Sequence, residues 1–224
     1  WAEIWDIIGP QIEQVLAGGR ATWHENALVP ITRYGEREDV YWTYSFGPID
    51  DLTAPRGVGG VLVVTSETTQ AVRMQRLMAF QLQLDDTLRT LEQPREVMNA
   101  AAAALGEYLE VDRCGYGEVD HSGTQLIVGG DWTTAGMPEL SGRLSLAAFG
   151  SDVMDTLAEG ASLRIDDIHA HPLTRQATAA FAAAGDMQSA VIVPLIKNGR
   201  MVAIFYVHQS SPRSWRDEEA VLVE

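Results

Sequence analysis

The run SAVIVPLIKNGRMVAIFYVH, Ser189 to His208, sets two apolar, β-branched stretches on either side of Asn198-Gly199. Asn-Gly in that setting is a strong signal for a two-residue turn with both central residues at positive φ, whose twist matches that of paired antiparallel strands. The spacing predicts a hairpin of Ser189–Ile196 against Met201–Gln209, which commits this half of the chain to an antiparallel sheet. The flanking segments alternate. Arg113–Asp120 and Gln125–Trp132 read as strands joined at His121-Ser122-Gly123, and Leu146–Ala158 reads as a helix stopped by Gly160. Leu163–Ile168 is expected as a short strand, Arg175–Ala184 as a small-residue helix ended by Gly185, and a last helix after Ser211–Trp215. Helices flanking an antiparallel sheet give an α+β class.

The first part of the chain repeats the theme on a smaller scale. Ile4, Ile7, Ile8, Ile12, Val15 and Leu16 recur at helical spacing within Glu3–Ala17, and Gly18-Gly19 ends the helix. Three strand-like runs follow: Thr22–Arg33, turning over at YGERED; Val40–Pro48; and Val58–Ser66 after the loop IDDLTAPRG. Three strands and one helix leave an apolar sheet face open. The expectation is an incomplete domain over residues 1–67, a helix over 68–93 and a second domain over 94–224, with both chain ends reading as interior points of a longer protein.

Between the two parts, Thr68–Glu92 has helical periodicity. Leu77, Leu84 and Leu91 recur every seven residues, Phe80 adds a seam position, and Val72, Met74, Met78 and Leu88 widen the stripe. The reading is a signalling helix that pairs two copies of the chain into a homodimer; the plainer alternative is a helix packed on its own domain. Pro94 then suits the first turn of a following Ala-rich helix.

Composition narrows the function classes. The 224 residues carry a formal charge of −15 with basic residues scattered singly, which argues against a nucleic-acid partner. No apolar run approaches the ~20 residues of a membrane-spanning helix. One cysteine, Cys114, excludes an internal disulfide and any cysteine-rich metal site. A cytoplasmic location is the plainest expectation.

The strings DIHAHP (Asp167–Pro172), SAVIVPLIKNGRMVAIFYVH and SWRDEEAVL (Ser214–Leu222) together resemble a GAF domain, a ligand- or chromophore-binding sensory module, over residues 93–224. The part ending in GGVLVVTSETT resembles the C-terminal half of a PAS domain, and ETTQAVRMQRL (Glu67–Leu77) resembles a PAS exit helix. PAS followed by GAF is similar to the sensory region of bacterial histidine kinases. That resemblance implies a non-catalytic sensory fragment of a two-component protein-histidine kinase, with a C-terminal kinase domain and a response regulator as partners. Alternatives are the sensor of a cyclic-di-nucleotide enzyme or phosphatase, and a ligand-free dimerisation scaffold.

The resemblance also implies a pocket between the sheet and the helices at 146–158 and 175–184, with an unspecified small molecule in it. Tyr116, Trp132, Arg143, Phe149, His169 and Phe181 lie on or near elements that could line it: a few polar groups among aromatic walls. GAF domains that bind bilin covalently usually carry a cysteine, often in a Cys-His pair. Here Cys114 is followed by Gly115, so a covalent bilin is not expected and the thiol reads as a buried structural residue. The thiol–disulfide cycle of the GAF-type methionine sulfoxide reductases needs several cysteines. The Asn-Lys-Phe-Asp-Glu constellation of cyclic-nucleotide binders is not traceable. In an extended DDIHAHP segment, Asp167, His169 and His171 would share a face and could present metal ligands, although a solvated loop explains them as well. Arg56–Gly60, RGVGG, leads into a strand, whereas a phosphate loop leads into a helix.

Overall fold

A computed structural model describes the backbone of residues 1–224 and every side chain except those of Glu36 and Pro55. The chain divides into two compact units, Trp1–Gln81 and Leu82–Glu224.

In the first unit, α1 (Trp5–Leu16) lies on a three-stranded antiparallel sheet in the order β1 (Thr22–Leu28), β4 (Tyr41–Asp50), β5 (Val58–Glu67). Ile8 and Val15 are buried with Tyr44 and Phe46, and Ile4, Ile12, Val61 and Val63 pack around them. Ile7 and Leu16, expected on the same stripe, are exposed at 39% and 43%, because their positions rotate them off the sheet side. The second sheet face carries Trp23, Leu62 and Val64, all largely exposed, with Trp23 and Val64 flanking Ser45 across the sheet. The expected run Thr22–Arg33 is not one strand. Pro30 has no N–H to give a ladder, and the chain leaves β1 at Leu28. It then builds a separate two-stranded ribbon from β2 (Ile31–Arg33) and β3 (Glu36–Glu38), turning at Tyr34-Gly35, the first two residues of YGERED.

Helix α2 spans Thr69–Leu88, so Leu91 lies beyond it. Gln93 is held extended ahead of Pro94, as a residue before proline must be, and Pro94 opens α3 (Pro94–Leu109). The seven-residue register is therefore one position shorter than its sequence suggests. Phe80 is buried within the single chain, Leu77, Leu84 and Leu88 are half-buried, and Met74, Met78 and Leu82 are exposed.

The second unit is a six-stranded antiparallel sheet in the order β8-β7-β6-β11-β10-β9, where β6 is Arg113–Val119, β7 Gln125–Thr133, β8 Gly142–Ser145, β9 Leu163–Ile165, β10 Ser189–Lys197 and β11 Arg200–Gln209. The expected hairpin forms: Lys197 pairs with Arg200 across Asn198 (φ 52°) and Gly199 (φ 72°). α3 packs on β6 and β7, while α4 (Ser151–Ala158) packs on β9, β10 and β11. The helix expected over Leu146–Ala158 is interrupted. A 3-10 turn, Leu146–Phe149, is followed by Gly150 at φ 93°, a conformation costly for other residues, and only then by α4. Strand β8 was not foreseen, β9 stops three residues early, and α5 covers only Thr178–Ala183 because residues 171–177 form turns.

The C-terminal string SWRDEEAVL closes the unit. Trp215 is fully buried, its Nε1 donates to the Ile165 carbonyl at 3.2 Å, and the Arg213 guanidinium lies 4.6 Å from its ring centre. Arg213 also donates to the Leu109 carbonyl at 2.9 Å and to Glu219 at 2.8 Å. Glu219 in turn caps the start of α6 (Asp217–Val223) by accepting from the Arg216 backbone.

The approach of α3 to the sheet rests on the missing side chain of Gly106: a Cβ there would lie 2.2 Å from the Trp132 ring. Gly106→Ala should lower stability by about 1–3 kcal/mol through overpacking, and adding Trp132→Leu should recover part of the loss, both read from urea midpoints. An unchanged midpoint for Gly106→Ala would contradict the close approach.

Candidate functional site

Between the sheet and the α4–α5 side lies a cavity of about 50 Å³. The sheet contributes Leu126, Leu144, Ile192, Ile204 and Tyr206; the 3-10 turn and α4 contribute Leu146, Phe149, Val153, Met154 and Leu157. Phe181 and Ala184 close the α5 side, with Met187 and Leu140 completing the wall. Phe149 and Phe181 meet edge to face at 5.0 Å. Such a pair fixes both ring planes more firmly than area burial alone.

Beside this apolar space sits a buried polar network. The Arg113 side chain is 1% exposed and that of Asp131 is fully buried, and the two form an ion pair through Nη1 and Oδ2. Arg113 Nε donates to His208 Nε2 at 3.0 Å and Nη2 donates to the Pro138 carbonyl at 2.7 Å. Asp131 Oδ1 accepts the Leu140 N–H at 2.9 Å, and Oδ2 accepts the Tyr206 hydroxyl at 3.4 Å. A buried pair persists only when its remaining donors and acceptors are satisfied, and here two of the partners belong to the segment joining β7 to β8. Tyr206, which also lines the cavity, has its hydroxyl held above the usual phenol range by burial and then by the Asp131 charge. His208 is pushed down to about 3, first by burial and then by the Arg113 charge. Its neutral ring accepts at Nε2, so the proton sits on Nδ1, which has no partner among the described groups.

Of the residues singled out in the sequence, Phe149 and Phe181 line the cavity. Tyr116 and Trp132 do not. Strand β7 carries a bulge between Val128 and Asp131, opposite Gly117 and Gly115, which puts both Val128 and Asp131 on the cavity face and turns Trp132 toward α3. Tyr116 alternates with Gly115 and Gly117 and so shares the α3 face. Arg143 pairs with Ile127 on the face away from the cavity and is exposed, and His169 is exposed outside the lining. Cys114 pairs with Trp132 and is buried on that same α3 face, where burial and then Asp131 raise its thiol well above the usual range. DDIHAHP is not extended. Asp167 Oδ1 accepts the His169 N–H at 2.8 Å in a turn, and His171 Nδ1 accepts the Leu173 N–H at 3.3 Å. Among the described residues no group of three or more His, Cys, Asp and Glu could hold a metal ion. Sequence reasoning missed Arg113, Asp131 and His208; the available signal was charge inside otherwise apolar strands.

A family model described as "GAF domain" matches residues 93–224, more than half of the chain. Among solved structures, one of a far-red absorbing dark state with bound biliverdin IXα aligns with a TM-score of 0.57 at 12% identity, over 64% of this chain and 90% of the other. A phycocyanobilin-bound GAF domain from a cyanobacterial phytochrome aligns at 0.55 and 14% identity, covering 65% and 87%. A methyl-accepting chemotaxis protein aligns at 0.52 and 23% identity, covering 62% and 87%. These likenesses establish the fold of the second unit. No curated protein matches the chain, and no described helix is long and apolar enough to cross a membrane.

Two outcomes follow from the network. Asp131→Ala strands a buried guanidinium and should cost about 3–5 kcal/mol, whereas Arg113→Met combined with Asp131→Leu should recover most of it; denaturant titration reads both. Between pH 3 and 6.5 the unfolded chain binds a proton at His208 that the native state refuses, so stability rises with pH across that window and levels off above it. From pH 6.5 to 5 this contribution amounts to about 2 kcal/mol, and His208→Gln should remove it from stabilities measured at the two pH values.

Proposed function

Because the chain belongs to the GAF family, whose domain here spans residues 93–224, we propose that it senses a small molecule held non-covalently between the sheet and α4–α5 and passes the bound state to an output domain. The observation that carries this reading is the apolar cavity abutting the Arg113–Asp131 network, since Tyr206 and Leu140 belong to both. An occupant that moves either residue changes hydrogen bonds at the buried pair. Such coupling cannot exceed the ligand's differential affinity for the two states, typically ~1–3 kcal/mol.

The finer form of the proposal is the sensory region of a cytoplasmic histidine kinase, with a PAS-like first unit, a kinase domain downstream and a response regulator as partner. The sequence strings that resemble PAS and GAF modules in that order support it, as does the long helix α2 between β5 and α3. Other outputs, a cyclic-di-nucleotide enzyme or a phosphatase, fit the same sensor. Two copies would pair along α2 through Leu77, Leu84 and Leu88.

Bilin is bound by two of the similar structures, but two features here weigh against a covalent chromophore. Cys114 faces α3 rather than the cavity, and about 50 Å³ is far below the ~300–1,000 Å³ of sites for drug-sized ligands. The same small volume favours a second reading, a dimerisation scaffold whose pocket stays empty. A melting scan against small-molecule libraries and cell extract separates the two. Binding should raise the midpoint, and silence under every condition would favour the scaffold. Leu84→Asp should convert a dimer to monomers in sedimentation; an unchanged oligomer would remove α2 as the pairing element.

A further inference from the structure

We propose that the occupant of the cavity is an uncharged, apolar molecule, admitted past Leu140, and that the lining turns away carboxylates and phosphates. This rests on the reading of the cavity as a ligand site and adds its chemical class.

The described lining offers hydrocarbon and thioether surface and one hydroxyl, that of Tyr206, which already donates to Asp131. The nearest ionised groups cancel: Arg113 is paired with Asp131, and the guanidinium's other contacts go to His208 and the Pro138 carbonyl. An entering anion would lose its hydration and meet no unspent side-chain donor on the wall, since His208, whose Nδ1–H is unpartnered, is not among the lining residues. A cation would find Asp131 already neutralised, so both are disfavoured by desolvation. Arg143, the cation nearest in sequence to the wall residue Leu144, projects from the opposite sheet face. A neutral apolar guest pays no such penalty.

Entry involves the segment between β7 and β8. Thr134, Ala135, Gly136, Pro138 and Glu139 are exposed, while Leu140 is half-buried and packs on the core as part of the cavity wall. Its backbone is tied to the ion pair through the Leu140 N–H and the Pro138 carbonyl. A dry cavity of ~150 Å³ accommodates benzene, whereas this one measures about 50 Å³, so a ring of that size needs the wall to give. Leu140, the wall residue carried by an exposed connection, is the one to withdraw.

The test uses the full chain, with toluene and its anionic near-isostere benzoate at neutral pH, for wild type and Leu140→Ala. Circular dichroism confirms folding, thermal midpoints report binding, and methyl NMR signals of Leu144 and Ile192 locate it. Toluene should raise the midpoint and shift those methyls, binding Leu140→Ala at least tenfold more tightly, with benzoate inert in both proteins. Equal stabilisation by benzoate would overturn the ligand class while leaving the cavity as a site. Equal toluene affinity in the two proteins would overturn the role of Leu140. Toluene binding without shifts at Leu144 and Ile192 would place it elsewhere and overturn the proposal. Silence of both ligands in both proteins would overturn the proposal and the site reading together.

Discussion

The second unit is organised around one interaction that a protein interior ordinarily resists, a fully buried arginine–aspartate pair. Removing both charges from water costs several kcal/mol per ion unless every remaining donor and acceptor is used. Arg113 on β6 and Asp131 on β7 meet that demand by recruiting His208 and Tyr206 from β11 and two backbone groups from the segment after β7. A local electrostatic requirement thereby becomes a tertiary one, because these elements must meet at a single point for the pair to be tolerated. The same requirement explains why an exposed connection is held against the core at Pro138 and Leu140 and nowhere needs a long apolar sequence to stay there.

The two sheet faces divide the work. On one, small residues allow α3 to approach so closely that Cys114 is fully buried beneath it and Trp132 is partly covered. On the other, the 3-10 turn, α4 and α5 meet the sheet less completely, and their mismatch is the cavity. The thiol of Cys114 and the cavity are therefore kept on opposite sides of one layer.

Much of this architecture was readable in advance, for physical reasons that also mark where reading stopped. The Asn198-Gly199 hairpin follows from the few dihedral combinations that join twisted strands, and Pro94 and the stripe Ile4, Ile8, Ile12, Val15 follow from equally local rules. Trp132 shows the limit. Counting alternately along β7 from Leu126 and Val128 places it on the cavity side, but the bulge before Asp131 inverts the parity, and nothing in "VGGDW" states which residue is the extra one. Tyr116 was legible as a strand residue without being legible as facing away, and Arg143 lies on β8, a strand too short for its periodicity to announce. The Arg113–Asp131 pair left one signal, charge in otherwise apolar strands, but a charged residue there reads as solvated until the tertiary neighbours are known. Leu91 fell outside its helix because the register of leucines continues past Leu88, where the helical backbone ends.

The clamp at Trp215 has a mechanical consequence. One planar guanidinium, Arg213, grips the last carbonyl of α3 and the capping carboxylate of α6 while lying flat on an indole wedged against the end of β9. One side chain thus ties both helices to the same indole, so neither can shift relative to β9 without giving up a hydrogen bond at Arg213 or Trp215.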